Sequence, residues 1–264
     1  MKELKNSRIA LLLISCDKYA DLWPMFINFF KKNWSECDYD KFILTNNETV
    51  IDSSFKTLKI GEDQGWSNSL MKALDLLKMN YDYVLVTLED SPIIEKVNHS
   101  KFQTIINSFL EINGNYLKFI TKPRPTSGYN KHFGVIGSGS LYRPTCVYAL
   151  YRIKVLIDLM NSEENAWQFE RFGAVRSDIY DKFFVVNEDF FKISNTVVKG
   201  KWVGKEYKKI LKLGFAPDLS ERKLLNRQEE ILLLVKTIIY KLFMKVIPWK
   251  WRRSLVFRMK GYAS

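Results

Sequence analysis

The chain has 264 residues, 47% hydrophobic and 27% charged, a balance expected of a globular protein with a substantial core: one large α/β domain with an appendage, or two small domains. No window reaches about 18 uncharged apolar residues, so no membrane-spanning helix is expected. The formal charge is +12, and residues 222–264 hold 11 Lys/Arg against 2 Glu, which concentrates +9 in that tail and leaves +3 for the rest. A basic tail points to an anionic partner, either lipid or nucleic acid.

Residues 8–15 read as a buried strand, an apolar run that stops at the polar turn Ser15-Cys16-Asp17-Lys18-Tyr19. The run is too short for the apolar core of a signal peptide. A helix rich in Phe and Leu is expected over 21–32, and short strands over 41–45 and 56–60. A loop over 61–67 leads into a helix over 67–80, whose apolar stripe is Leu70, Ala73, Leu74 and Leu77. Residues 81–88 read as a central strand closed by Glu89 and Asp90. A helix over 101–112 and a strand over 117–121 follow. The alternation predicts a mostly parallel sheet covered by helices, with ligands beyond the carboxyl ends of its strands. A Gly/Pro/Ser-rich segment over 123–143 reads as a long loop or irregular hairpin. Helices are expected over 145–160 and 166–179, a strand over 183–186, and a strand or loop over 195–202. Cys16, Cys37 and Cys146 form no CxxC pair, so a structural zinc site is not expected, and sparse cysteines suit a reducing compartment.

Three strand ends carry polar groups: the turn at Ser15, Asp17 and Lys18; Asn46-Asn47; and Glu89-Asp90. Carboxylates at a strand end can hold a divalent cation against the diphosphate of a nucleotide. Asp17 and Ser15 are candidates for base or ribose, and Lys18 for phosphate. In Asp63-Gln64-Gly65-Trp66-Ser67-Asn68, Ser67 is a plausible N-cap. The loop also offers Trp66 as a stacking surface and Asn68 as a hydrogen-bond partner. In 165–171 a helix would place Trp167, Glu170 and Ala174 on one face, making Glu170 a candidate general base beside an indole. In the 123–143 loop, Arg124 and Lys131 are candidates for acceptor phosphate, and His132 reads as an exposed loop residue.

Taken in order, SCDKYADLW, GWS before a helix, YVLVTLED, AWQFE and VVKGKW resemble the bacterial GT-A glycosyltransferases found with capsule and O-antigen biosynthesis enzymes. The likeness spans about residues 9–202. It implies a GT-A-like, Rossmann-like sheet flanked by helices over 1–219 and transfer of a sugar from a nucleoside diphosphate donor, UDP first, to a hydroxyl of a lipid-linked glycan. It also implies Asp17 and Trp66 at the nucleotide, Glu89 and Asp90 at the diphosphate or a Mn²⁺ or Mg²⁺ ion, and Glu170 as the base. The chain lacks a true DxD motif, and Lys199 or Lys201 would be the electrostatic substitute for a metal.

The tail, 220–264, carries the apolar stretch 231–247 broken by Lys236, Lys241 and Lys245. Pro248 follows, and then Trp249, Lys250, Trp251, Arg252 and Arg253. Lysines within an apolar helix and Trp beside Arg suit a helix lying in the plane of an anionic membrane surface. With no nucleic-acid motif present, lipid is the expected partner, on the inner face of a bacterial membrane.

Overall fold

The computed structural model describes residues 8–260, so residues 1–7 of the expected body and 261–264 of the expected tail lie outside the described residues. The chain runs β1 (Ile9–Ile14), α1 (Trp23–Asn33), β2 (Asp40–Thr45), β3 (Lys56–Lys59), α2 (Trp66–Leu77), β4 (Tyr83–Leu88) and α3 (His99–Glu111). It continues through β5 (Tyr116–Lys118), β6 (Ser127–Gly128), β7 (Phe133–Val135), β8 (Ala149–Arg152), α4 (Ile153–Leu159) and α5 (Ala166–Arg176). Then come β9 (Phe183–Val186), β10 (Val197–Val198), β11 (Lys201–Trp202), α6 (Gly204–Lys212), α7 (Arg227–Val246) and α8 (Trp249–Met259).

Nine strands form one sheet in the order β3-β2-β1-β4-β8-β5-β9-β7-β6, and β10 and β11 make a separate hairpin. The strands β3, β2, β1 and β4 are mutually parallel; β8 enters antiparallel to both β4 and β5. This is the expected α/β, GT-A-like architecture with a C-terminal helical extension.

The apolar runs of β1 and β4 lack polar alternation because both sheet faces are covered. Leu11 and Leu13 of β1, with Tyr83 and Leu85 of β4, meet Phe26 and Phe30 of α1 and Phe102 of α3. Ala10, Leu12 and Ile14 point the other way, with Val84 and Val86, onto Leu70 and Leu74 of α2, Leu156 of α4 and Phe169 of α5. The register pairs Ile14 with Leu88, so the next residues, Ser15 and Glu89, leave the sheet at the same edge.

Two expectations need correction. The expected helix over 145–160 is a strand, β8, followed by the short helix α4. Tyr148, Ala149, Leu150 and Tyr151 are buried, and β8 fills the slot between β4 and β5, so sheet pairing overrides an ambiguous apolar run. The second concerns Ser67, which does not cap α2. Gly65 holds the N-cap position with φ 94°, a conformation open to glycine, and Ser67 sits inside the first turn with its hydroxyl donating to the Glu164 carbonyl at 2.6 Å.

The body reaches past residue 220. Trp202 donates its backbone N–H to Lys223 and accepts from Leu225, so residues 223–225 lie along β11.

Candidate active site

A cleft of about 430 Å³ opens where β1 and β4 end. It is lined by Ser15, Cys16, Lys18 and Tyr19 after β1, Asp63, Gly65 and Trp66 at the start of α2, Glu89 and Asp90 after β4, and Asn165, Ala166 and Trp167 at the start of α5. The position follows from topology: parallel strands aim their carboxyl ends at one edge, and the loops that leave them are free of sheet pairing.

Glu89 is 7% exposed. Burial, with the repulsion of Asp90 added, pushes its carboxyl up to about 8. Burial also raises Asp90, to about 6. The Ser15 hydroxyl accepts from the Trp23 indole at 2.8 Å, and its hydrogen bonding favours the ionised form of Glu89. Asp90 is fixed through its carbonyl, which accepts from the N–H and the hydroxyl of Thr196, each at 2.9 Å. Its carboxylate accepts from Ser91 at 3.0 Å.

A buried cation near this pair is Arg222, from the start of the basic tail. Its guanidinium is buried, forks onto Asp21 at 2.7 and 2.9 Å, donates to the Lys18 carbonyl at 2.6 Å and lies 4.2 Å over the Tyr19 ring. Its charge favours ionisation of both Glu89 and Asp90. No local signal marks Arg222 in sequence, because its partners are on the first strand–helix connection.

The other expected residues divide between cleft and scaffold. Ser15, Lys18, Trp66, Glu89 and Asp90 line the cleft. Lys18 is exposed and stands 3.5 Å from Asp63. Trp66 packs on Phe169 with ring centroids 5.6 Å apart, and its buried indole N–H has no hydrogen-bond acceptor among the described residues. Asp17 and Asn46 stand behind the cleft. The Asp17 carboxylate accepts from the backbone N–H groups of Asn46, Asn47 and Glu48 at 2.8, 2.8 and 3.2 Å, while the Asn46 amide donates to the Gly61 carbonyl at 3.1 Å. These bonds tie the β1 turn to the β2 turn. Ser67 likewise joins α2 to the segment before α5. Lys201 is turned away, pairing at 2.6 Å with Glu229 at the start of α7. Asn68 holds the Gln64 carbonyl at 2.9 Å.

Glu170 lines a second cavity of about 320 Å³, with Lys118, Lys122, Tyr142, Arg171 and, from α7, Tyr240. Trp167 is common to both cavities. The Asn165 capping box starts α5, so one turn of helix presents Trp167 toward both cavities and Glu170 to the second. Burial raises the Glu170 carboxyl, opposed by the nearby Lys118 ammonium and by the Cys146 N–H, which donates to it at 3.2 Å. Lys118 is 5% exposed, and burial brings its amine down to about 8. No local signal marks this lysine in sequence, because it ends the buried strand β5.

The donor set was weighed for a divalent cation. Among the described residues no third His, Cys, Asp or Glu joins Glu89 and Asp90 in a metal-binding cluster. Two adjacent desolvated carboxyls at a strand end, each giving up its proton more readily beside a cation, still fit Mg²⁺ or Mn²⁺, which is commonly held by one or two carboxylates plus substrate phosphates.

No family model and no curated protein matches the sequence. Among solved structures the chain is similar to S. aureus TarS, at 12% identity and a TM-score of 0.50, over 78% of this chain. It spans 38% of the TarS chain. A197 from STIV is also similar, at 14% identity over 74% of this chain and 89% of that one, with a TM-score of 0.40. At such identities the likeness is one of fold.

Proposed function

We propose that the protein is a glycosyltransferase that moves a sugar from a nucleoside diphosphate donor, UDP in the first instance, to a hydroxyl of a lipid-linked surface glycan of the O-antigen or capsule kind. The observation that carries this reading is the buried Glu89–Asp90 pair at the end of β4, its ionisation favoured by the nearby Arg222, in a cleft lined by Trp66 and Trp167 in a GT-A-like sheet. Trp66 supplies an apolar face and a free N–H for the nucleotide, and Lys18 a point charge for phosphate. Glu89 and Asp90 would hold a divalent cation at the diphosphate end, which would neutralise the charge that develops on the leaving nucleoside diphosphate.

Glu170 faces the acceptor in the adjoining cavity. In an inverting transfer it takes the proton of the attacking hydroxyl as the new glycosidic bond forms and the nucleoside diphosphate departs. Its raised carboxyl brings its basicity toward working pH, as general-base catalysis requires. Asp17, Asn46 and Ser67 serve by holding the walls in register.

The tail supports a peripheral place on the inner face of the membrane. Among the described residues no helix is long and apolar enough to cross one. The helix α7 buries none of its side chains, and Leu234, Ile239, Leu242 and Val246 are exposed beside Lys236, Lys241 and Lys245. Such a face suits the headgroup boundary of an anionic bilayer.

Thermal unfolding with UDP-, GDP-, CMP- and dTDP-sugars, with and without Mn²⁺, tests the reading. A ligand at a hundredfold excess over its Kd stabilises the folded state by about 2.7 kcal/mol. A shift with one nucleotide family is expected, enlarged by Mn²⁺ and lost in Glu89→Ala. No shift with any donor at millimolar concentration would turn the reading toward a non-catalytic partner in glycan assembly.

A further inference from the structure

The strands β1, β4, β5 and β9 run the same way, so their carboxyl ends share one edge of the sheet, and β8 enters at that edge from the opposite direction. Cavities follow the edge in strand order. The cleft lies beyond β1 and β4. The second cavity, beyond β5 and before β8, shares Trp167 with it. A third cavity, of about 410 Å³, shares Lys118, Lys122 and Val147 with the second and reaches Asp189 and Lys192 after β9. From β1 to β9 the order β1-β4-β8-β5-β9 covers four strand spacings, about 19 Å at roughly 4.8 Å each. That is longer than a single sugar ring needs.

The lining is amphipathic. Trp167 is 66% exposed where the cleft meets the second cavity, and Ile120, Val147, Phe191 and Ile193 give the third an apolar side. Charged groups of both signs lie among them. Glu170 is near Lys118, and Asp189 is near Lys122 and Lys192, whose charges favour its ionised form. One oxygen of Asp189 accepts from the N–H and the hydroxyl of Thr121, each at 2.6 Å. The protein thus supplies counter-charges of its own, and the lining offers a ligand donors and acceptors side by side against apolar carbon. Sugar rings present the matching surface, C–H faces that lie on indole and aliphatic side chains, rimmed by hydroxyls that both donate and accept. A polyanion would meet the carboxylates of Glu95, Glu170 and Asp189, and a lipid tail would desolvate the lysines.

We propose that the three cavities form one groove that binds an oligosaccharide chain, its end sugar on Trp167 beside Glu170 and the preceding sugars over Val147 toward Asp189 and Lys192. That the end sugar receives a transferred one rests on the glycosyltransferase reading; the groove does not.

The test probes the full chain on an array of O-antigen and capsule oligosaccharides graded from monosaccharide to hexasaccharide. Affinity is expected to rise about tenfold or more with chain length, the equivalent of about 1.4 kcal/mol. The side chains of Trp167, Lys122 and Lys192 are exposed, so their replacement keeps the fold, which melting curves check. Trp167→Ala should weaken binding at every length. Lys122→Ala with Lys192→Ala should remove the gain from added sugars and leave monosaccharide binding unchanged. Affinity that does not depend on length, a gain that survives in the double variant, or no binding to any glycan overturns the proposal. So does binding confined to anionic glycans and abolished by molar salt, which would make the edge a polyanion surface. Length-dependent binding by a protein that no nucleotide sugar stabilises sinks the transferase reading and leaves the groove standing; stabilisation by a nucleotide sugar without glycan binding does the reverse.

Discussion

Glu89 keeps a proton in the folded protein at pH values where an unfolded chain would have released it. Its carboxyl is raised from 4.5 to about 8, so the sign is fixed. Below pH 4.5 both states are protonated; between 4.5 and 8 only the unfolded state ionises, and stability falls as pH rises. Glu89→Gln removes that loss. It should raise stability at pH 7 by up to about 3 kcal/mol, taking roughly 1.36 kcal/mol per pH unit, and leave it nearly unchanged near pH 4.5. Melting curves at the two pH values check this, and an equal shift at both would mean that Glu89 is ionised in the fold. Arg222 poses the converse case. Removing one member of a buried pair strands the other, so Arg222→Met should cost about 3–5 kcal/mol in denaturant unfolding. Asp21→Asn added to it should cost less than the sum of the two single changes. Strict additivity would show that the fork onto Asp21 carries no coupling.

Among the elements, the two tail helices are held differently. Phe257 of α8 is buried against Phe172, and Arg253 pairs with Asp178 at 2.6 Å. Trp249, at the start of α8, stands so close to Gly137 that an added Cβ there would lie 3.1 Å from its ring. The preceding helix is tied chiefly at its start, where Glu229 meets Lys201 and Glu230 accepts from the Gly204 N–H. Charging its outer side should therefore leave the fold intact. Ile239→Asp with Leu242→Asp is expected to change stability by no more than about 1 kcal/mol, as for surface positions. The same pair should abolish sedimentation with phosphatidylglycerol vesicles. Undiminished sedimentation would move membrane contact elsewhere on the chain.

At the scale of the whole molecule, the sheet and its two covers form the stable unit. The three apolar clusters draw on residues 9–210, and among the described residues the tail adds only Phe257 to the buried hydrophobic side chains. A chain ending at Leu225 keeps the pairing of 223–225 with β11 and the Arg222 fork. It should unfold in one cooperative step and still bind nucleotide sugar, while losing vesicle binding. Loss of nucleotide-sugar binding in that chain would show that the tail shapes the first cleft too.

Much of the frame was written locally. The apolar runs of β1 and β4 marked strands buried on both faces. Glu89-Asp90 stood at a strand end because a polar pair cannot continue such a run, and the lysines spaced through α7 set its amphipathic character. Those signals live in neighbouring residues, where periodicity reports burial. What only the tertiary structure decided are the meetings between distant residues. Arg222 reaches Asp21 across 201 positions. Lys118 and Glu170 come to one cavity because β8 inserts between β4 and β5. Asp17, a candidate ligand on sequence, accepts from the turn after β2, because β1 and β2 lie side by side. Strand order is set by how the two helical layers pack on the sheet as a whole. No single segment encodes it, and so the charge balance of both cavities had to wait for the fold.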